Sequence, residues 1–443
     1  MRLFPPALTA TLAAALLAGA LAFAGCGNSA GPQATTGAAS AGTTSAAAAP
    51  SGERQERVVH SILPMNMDGD DSKDMVAAMQ LALDERGADH GAVHVTLAVD
   101  NDSGADGNSD PELAAKIARK VVANPASIGI IGTITSSGSK AMQPITNRAS
   151  LPILGISATA VGLTRRTDGR PGMPPDVAPT GRPNLVRLVP NDARQSLALA
   201  AYMREESVGD LVIINDGQTY GAGLTESVVR DAKRAGIRVQ DVLVMKSNAD
   251  AARVGREAAV KLADSRGTPA VLIAGNSAAA SVAATKAAAL ANDQLLIFGP
   301  DSMALRGVYA NLGSAVERRV YITSYLLPVE YYGPLGVEVF GRLAVKLGRK
   351  PTPTALYAYE AMDLLLASIG EALPDAAAFK GKTVKQQRAA VTAALLHTFD
   401  RGSVVGTYSI DVHGDTTNTL YGAYRVENKD LVRGQAIDTG ATG

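Results

Sequence analysis

Ser136 and Ser137 follow an apolar, β-branched run at 128–132 and open a segment with helical patterning. Backbone N–H groups and hydroxyls gathered at a helix start can bind an anion such as a carboxylate. The same position equally suits an ordinary capping serine. Asp301 stands after Gly299 and Pro300 at the end of another apolar run. There it is either a solvated loop residue or, if buried, a charge that requires a cation. Other patterns fall short of chemistry. Gly221-Ala222-Gly223 begins like a dinucleotide fingerprint, but Glu226 occupies the third glycine position. Gly381-Lys382-Thr383 looks like the end of a phosphate loop, with Ala376 where the first glycine belongs. The acidic stretches 68–74 and 100–110 place Met79 and Leu113 where a calcium loop needs its bidentate Glu. The 5 histidines form no ligand set, and no Gly-x-Ser-x-Gly elbow is present. These residues favour a binding protein over an enzyme, with neither metal nor cofactor.

The elements that must position them alternate between strand and helix. Strands are expected at 58–63, 93–99, 128–132 and 152–156, with helices at 71–86, 111–122 and 137–148. On the helix at 71–86, Met75, Val76, Met79, Ala82 and Leu83 share one face. Residues 165–183, rich in Gly, Pro and Arg, break the rhythm and read as a surface insertion or hinge approach. The alternation then restarts. Strands fall at 185–188, 211–215, 239–244, 270–274, 295–298 and 320–323. Among the helices, 223–235 turns Leu224, Val228, Val229 and Ala232 inward. Long helices at 335–347 and 354–372 precede segments 406–411 and 420–426, which read as a hairpin. Repeated strand–helix units imply α/β architecture with parallel sheets, and two successive sets imply two lobes.

Composition narrows the partners. The 42 Lys+Arg balance the 42 Asp+Glu, so neither nucleic acid nor an anionic membrane surface is the expected partner. Cys26 is the only cysteine, which excludes internal disulfides and Cys-based zinc sites. Trp is absent, leaving few rings to stack on a ligand.

An apolar stretch at 7–25 ends in Phe23-Ala24-Gly25-Cys26. This resembles the lipobox of bacterial lipoproteins, although Phe23 replaces the usual Leu, Val or Ile. The resemblance implies cleavage before Cys26 and a diacylglyceryl group on its thiol; an uncleaved anchor helix or a free secreted protein are the alternatives. Residues 27–50 contain only Gly, Asn, Ser, Ala, Pro, Gln and Thr, too polar and small to order themselves. A flexible tether of that length reaches roughly 25–30 Å.

Several segments after the tether together resemble type I periplasmic binding proteins, in particular the leucine/isoleucine/valine-binding branch of ABC-transporter substrate-binding proteins. They are Ile131-Gly132-Thr133-Ile134-Thr135-Ser136-Ser137-Gly138, Leu151-Pro152-Ile153-Leu154, Ser157-Ala158-Thr159, and Val186-Arg187-Leu188-Val189-Pro190-Asn191-Asp192. Ile214-Asn215-Asp216 with Tyr220-Gly221, then Gly299-Pro300-Asp301, Tyr359-Glu360-Ala361 and Gly414-Asp415 complete the order. The resemblance implies two Rossmann-like lobes joined by three crossovers. Lobe one takes 54–183 plus 324–401; lobe two takes 184–323 plus 402–435, before a tail at 436–443. It assigns Ser136, Ser137, Ser157 and Thr159 to the carboxylate and ammonium of an α-amino acid. Asp301 pairs with the ammonium and Tyr220 packs beside the ligand. Asn276, in Gly275-Asn276-Ser277, stands where the family carries a tyrosine. That departure, and the acidic loop at 65–71, leave the side-chain specificity open. The implied function is an extracytoplasmic lipoprotein that passes an amino acid or amide to the permease of an ABC importer. A ligand sensor signalling to a membrane partner is the alternative.

Overall fold

The β-branched runs form two sheets, each carrying helices between its strands. The computed structural model describes residues 54–67 and 69–440. The expected signal segment, Cys26 and the tether lie outside the described residues. The strands are β1 Gln55–Leu63, β2 Asp89–His90, β3 Val93–Asn101, β4 Ser127–Gly132, β5 Ile153–Gly155 and β6 Leu185–Arg187. They continue as β7 Val208–Asn215, β8 Arg238–Val244, β9 Thr268–Ala274, β10 Leu296–Gly299 and β11 Val320–Ser324. The last four are β12 Arg401–Ser403, β13 Gly406–Tyr408, β14 Leu420–Glu427 and β15 Asp430–Asp438.

The first sheet runs β2-β3-β1-β4-β5-β6, parallel except for β2. The second runs β15-β14-β11-β10-β9-β7-β8, parallel except for the antiparallel pairings of β14 with β11 and with β15. Central strands such as β4 are buried at every residue, as a sheet covered on both faces requires. The chain thus crosses from the first sheet to the second after β6. It returns through Tyr325 and crosses again to supply β14 and β15. The helix Thr354–Ala372 packs on the helix Asp71–Arg86 and on β4. Fifteen of its 19 residues are buried, which explains why it is apolar nearly all round. Among the described residues no helix is long and apolar enough to cross a membrane.

Several expectations are corrected here. β6 was expected to open the second lobe, but it pairs with β5 in the first sheet. Segments 406–411 and 420–426 do not form a hairpin. β13 pairs with β12, and β14 turns back on β15 instead. Residues 402–408 accordingly stay with the first lobe: Tyr408 and Arg401 both bind the buried Glu360 of the long helix. β15 runs through to Asp438, into the stretch expected as a tail. Val229 is 37% exposed and does not face inward, because the helix Thr219–Arg234 buries its Leu224, Val228 and Ala232 edge alone. Residues 165–183 are tied down at both ends. Arg165 binds Asp415 and Asp411, and Val177 and Ala178 are buried.

Candidate functional site

The carboxyl ends of the parallel strands converge on one cavity of about 590 Å³. Its lining includes Ser136, Ser137, Ser157, Thr159, Tyr220, Asn276 and Asp301, so the fold brings all seven predicted site residues together. The first four hang from β4 and β5; the other three follow β7, β9 and β10.

Gly132 ends β4 at φ +129°, and a Cβ there would lie 2.3 Å from the Ile62 carbonyl oxygen. Only glycine allows this close approach of β4 to β1. The chain then enters the helix Ser136–Arg148, whose cap is Thr135, accepting from the Gly138 N–H at 3.2 Å. Ser136 and Ser137 are therefore first-turn residues relieved of capping. Ser136 Oγ accepts from the Ala160 N–H at 3.1 Å, which leaves its hydroxyl hydrogen to donate. Ser137 Oγ donates across the cleft to Gln218 Oε1 at 3.5 Å. Asn276 Nδ2 donates to the same oxygen, also at 3.5 Å. Beyond β5, Ser157 Oγ receives the Tyr325 hydroxyl at 3.1 Å. The Thr159 hydroxyl is buried, its residue only 1% exposed; it lies near enough to Asp192 to favour that carboxylate but makes no hydrogen bond of good geometry.

The opposite wall is acidic. Tyr220 is the second residue of the helix Thr219–Arg234, and its hydroxyl donates to Asp301 Oδ1. Asp301 is 9% exposed, and burial pushes its carboxyl above the usual range; Tyr220 and Gln195 only partly oppose this. Behind it lies Asp192, fully buried, with neither oxygen hydrogen-bonded among the described residues. Burial, then the charge of Asp301, raises Asp192 to about 8. Two buried carboxyls thus lie together, with Thr159 and the charge of Arg187 only partly opposing the rise in Asp192. No lysine, arginine or histidine lines the cavity itself among the described residues. That arrangement stabilises a cation on Asp301 and costs free energy without one.

Sequence reasoning missed Tyr325, Gln218 and Asp192, which respectively lie in a crossover, before a helix and beneath the cavity; Asp71 was read only as part of the acidic loop 65–71 that leaves the side-chain specificity open.

A profile of the periplasmic binding protein family matches residues 67–428. No curated protein matches the chain. Among solved structures, the chain is similar to the leucine-binding protein LivK of Thermotoga maritima, with 19% identity, 87% of this chain and 99% of that chain covered, and a TM-score of 0.71. It is similar to LivJ of Streptococcus pneumoniae in complex with isoleucine, at 16% identity, 86% and 100% coverage and a TM-score of 0.67. A solute-binding protein of an ABC transporter from R. palustris, in complex with benzoate, is 15% identical over 86% and 98% of the chains, with a TM-score of 0.67. With the profile spanning both lobes and the cavity lying between them, the chain belongs to the periplasmic binding protein family and has its type I fold.

Proposed function

We propose that the protein is an extracytoplasmic solute-binding lipoprotein, anchored through Cys26. It captures a small ammonium-bearing ligand, an amino acid or amide, between its lobes and delivers it to an ABC permease. The observation that carries this reading is the buried Tyr220–Asp301 pair facing the Ser136, Ser157 and Thr159 hydroxyls across one cavity. An α-amino acid has the complementary ends. Its carboxylate would meet the helix start at Ser136–Ser137 and the Thr159 hydroxyl. Its ammonium would meet Asp301. Benzoate, the ligand of one structural neighbour, would bring a carboxylate and no cation to an acidic wall, and fits this cavity poorly. The lobes close only as far as the ligand prefers the closed form.

A thermal-shift panel of amino acids, amides, polyamines and short carboxylates tests the reading. A specific ligand at a hundred times its Kd should add about 2.7 kcal/mol of stability. Stabilisation by carboxylates lacking an amine, and by nothing else in the panel, would overturn it.

A further inference from the structure

The cavity has a second acidic pole. Asp71 opens the helix Asp71–Arg86, is 7% exposed, and lines the cavity from the first lobe. Its Oδ1 accepts from the Thr354 hydroxyl at 3.1 Å. The neighbouring acids are already paired: Arg349 lies 2.5 Å from Asp74 and 3.5 Å from Asp70. Asp71 takes part in no ion pair among the described residues. Burial, with the charges of Asp74 and Asp70, raises its carboxyl above the usual range, against the pull of Thr354. Asp71, Tyr325 and Asp301 all line this one cavity. Met67, Met75 and Leu326 supply apolar wall among the lining residues, suited to a short methylene stem.

Charge accounting then separates ligand classes. A neutral zwitterion satisfies Asp301 and the hydroxyl wall but leaves Asp71 outside any ion pair, with Arg349 committed to Asp74 and Asp70. The buried Asp71 carboxyl must then stay charged at a cost or take up a proton. The Thr159 hydroxyl, buried at the same cavity beside Asp192 and in no hydrogen bond of good geometry, independently offers the cavity a donor for a polar ligand. We infer that Asp71 receives a second ammonium or guanidinium group, so that the ligand is a dibasic amino acid or a related short dication. This rests on the reading of Asp301 as the partner of the first ammonium.

Calorimetry with L-lysine and L-ornithine against L-norleucine and L-norvaline tests it, since each neutral probe keeps the stem and lacks the distal amine. The protein should bind the dibasic member of each pair at least ~30-fold more tightly. Asp71→Asn should bring that ratio close to one, whereas Asp71→Glu, which keeps the charge, should retain a preference. Equal affinities in the unaltered protein, or a ratio unchanged by Asp71→Asn, would overturn the inference. If norleucine binds through Asp301 with no gain from a distal amine, the amino-acid reading stands and this inference falls. If no amino acid of either kind binds, both fall.

Discussion

Asp301 and Thr159 carry the site in opposite ways. Asp301 is a buried carboxyl that, in the proposed reading, takes a cation, and Thr159 is a buried hydroxyl beside Asp192 that, in the same reading, turns to the ligand. Removing the Thr159 hydroxyl therefore costs the unliganded protein little, because it makes no hydrogen bond of good geometry and loses only its pull on the largely protonated Asp192. Thr159→Val should leave unliganded stability within about 1 kcal/mol of the original, yet weaken ligand binding by about 0.5–3 kcal/mol. Chemical denaturation and calorimetry on the same samples would separate the two effects, and a stability loss matching the affinity loss would make Thr159 structural. The acidic wall also predicts a pH dependence. Asp301 is raised by burial and Asp192 is raised to about 8, with Tyr220, Tyr325, Tyr421, Gln195 and Arg187 the surrounding groups. An acid whose folded pKa is raised stabilises the fold fully below its unfolded pKa. That contribution is lost as pH rises through the folded value. Unliganded stability should therefore decline from the ordinary carboxylate range up to about pH 8. Affinity for an ammonium ligand should rise over the same interval, with proton release visible as a buffer-dependent binding enthalpy. Affinity that falls with rising pH would contradict the assignment of Asp301.

Among the elements, the third crossover is held by one buried ion cluster. Asp415 lies 2.6 Å from Arg187, whose side chain is fully buried, and it also binds Arg165, Thr164 and Asn191. Burial opposes ionisation of Asp415, but the charge and hydrogen bonds of Arg187, with those of Arg165 and Thr164, lower it to about 2. Asp415→Ala would strand Arg187 without its partner and should destabilise the protein by about 3–5 kcal/mol. A loss below about 1 kcal/mol in a denaturant titration would show that the cluster does not hold the crossover. The adjacent Gly414 has φ +92°, and a Cβ there would lie 2.1 Å from the Leu185 carbonyl oxygen. The pair Gly414-Asp415 was legible in the sequence as a motif, whereas its reason lies in contacts more than two hundred residues away along the chain. Local signals worked where an element carries its own pattern: the helix Asp71–Arg86 stops at Gly87 as its periodicity requires. They failed for β12 and β13, whose pairing is short and set by Glu360. The helix Val384–Leu396 was passed over although Thr383 and Gln386 form a capping box, a signature present in the sequence just after the rejected phosphate-loop match at Gly381-Lys382-Thr383.

For the whole molecule, α/β architecture and the two-lobe organisation followed from the alternation of strands and helices. The strand ends then placed every expected site residue on one cavity. What stayed hidden was which charges are paired: Asp71 and Asp74 look alike in sequence, but Asp74 forms an ion pair with Arg349 while Asp71 is held by the Thr354 hydroxyl. Because the Ser136, Ser157 and Thr159 hydroxyls and the Asp301 carboxyl come from different lobes, a ligand that meets both, as proposed, does so only when the cleft is closed. Small-angle scattering should register a smaller radius of gyration on adding ligand, and Asp301→Asn should reduce that change at a fixed ligand concentration. An unchanged radius at saturation would mean that lobe closure plays no part in binding.

The central claim is that Asp301 holds the ammonium of the ligand inside the cleft. Calorimetry of one bound amino acid and of its deaminated analogue, in the unaltered protein and in Asp301→Asn, tests this most directly. The account predicts one site, strong preference for the amine, and a loss of about 2–5 kcal/mol for the amino acid alone on substitution. Equal losses for both ligands, or equal affinities in the unaltered protein, would contradict it.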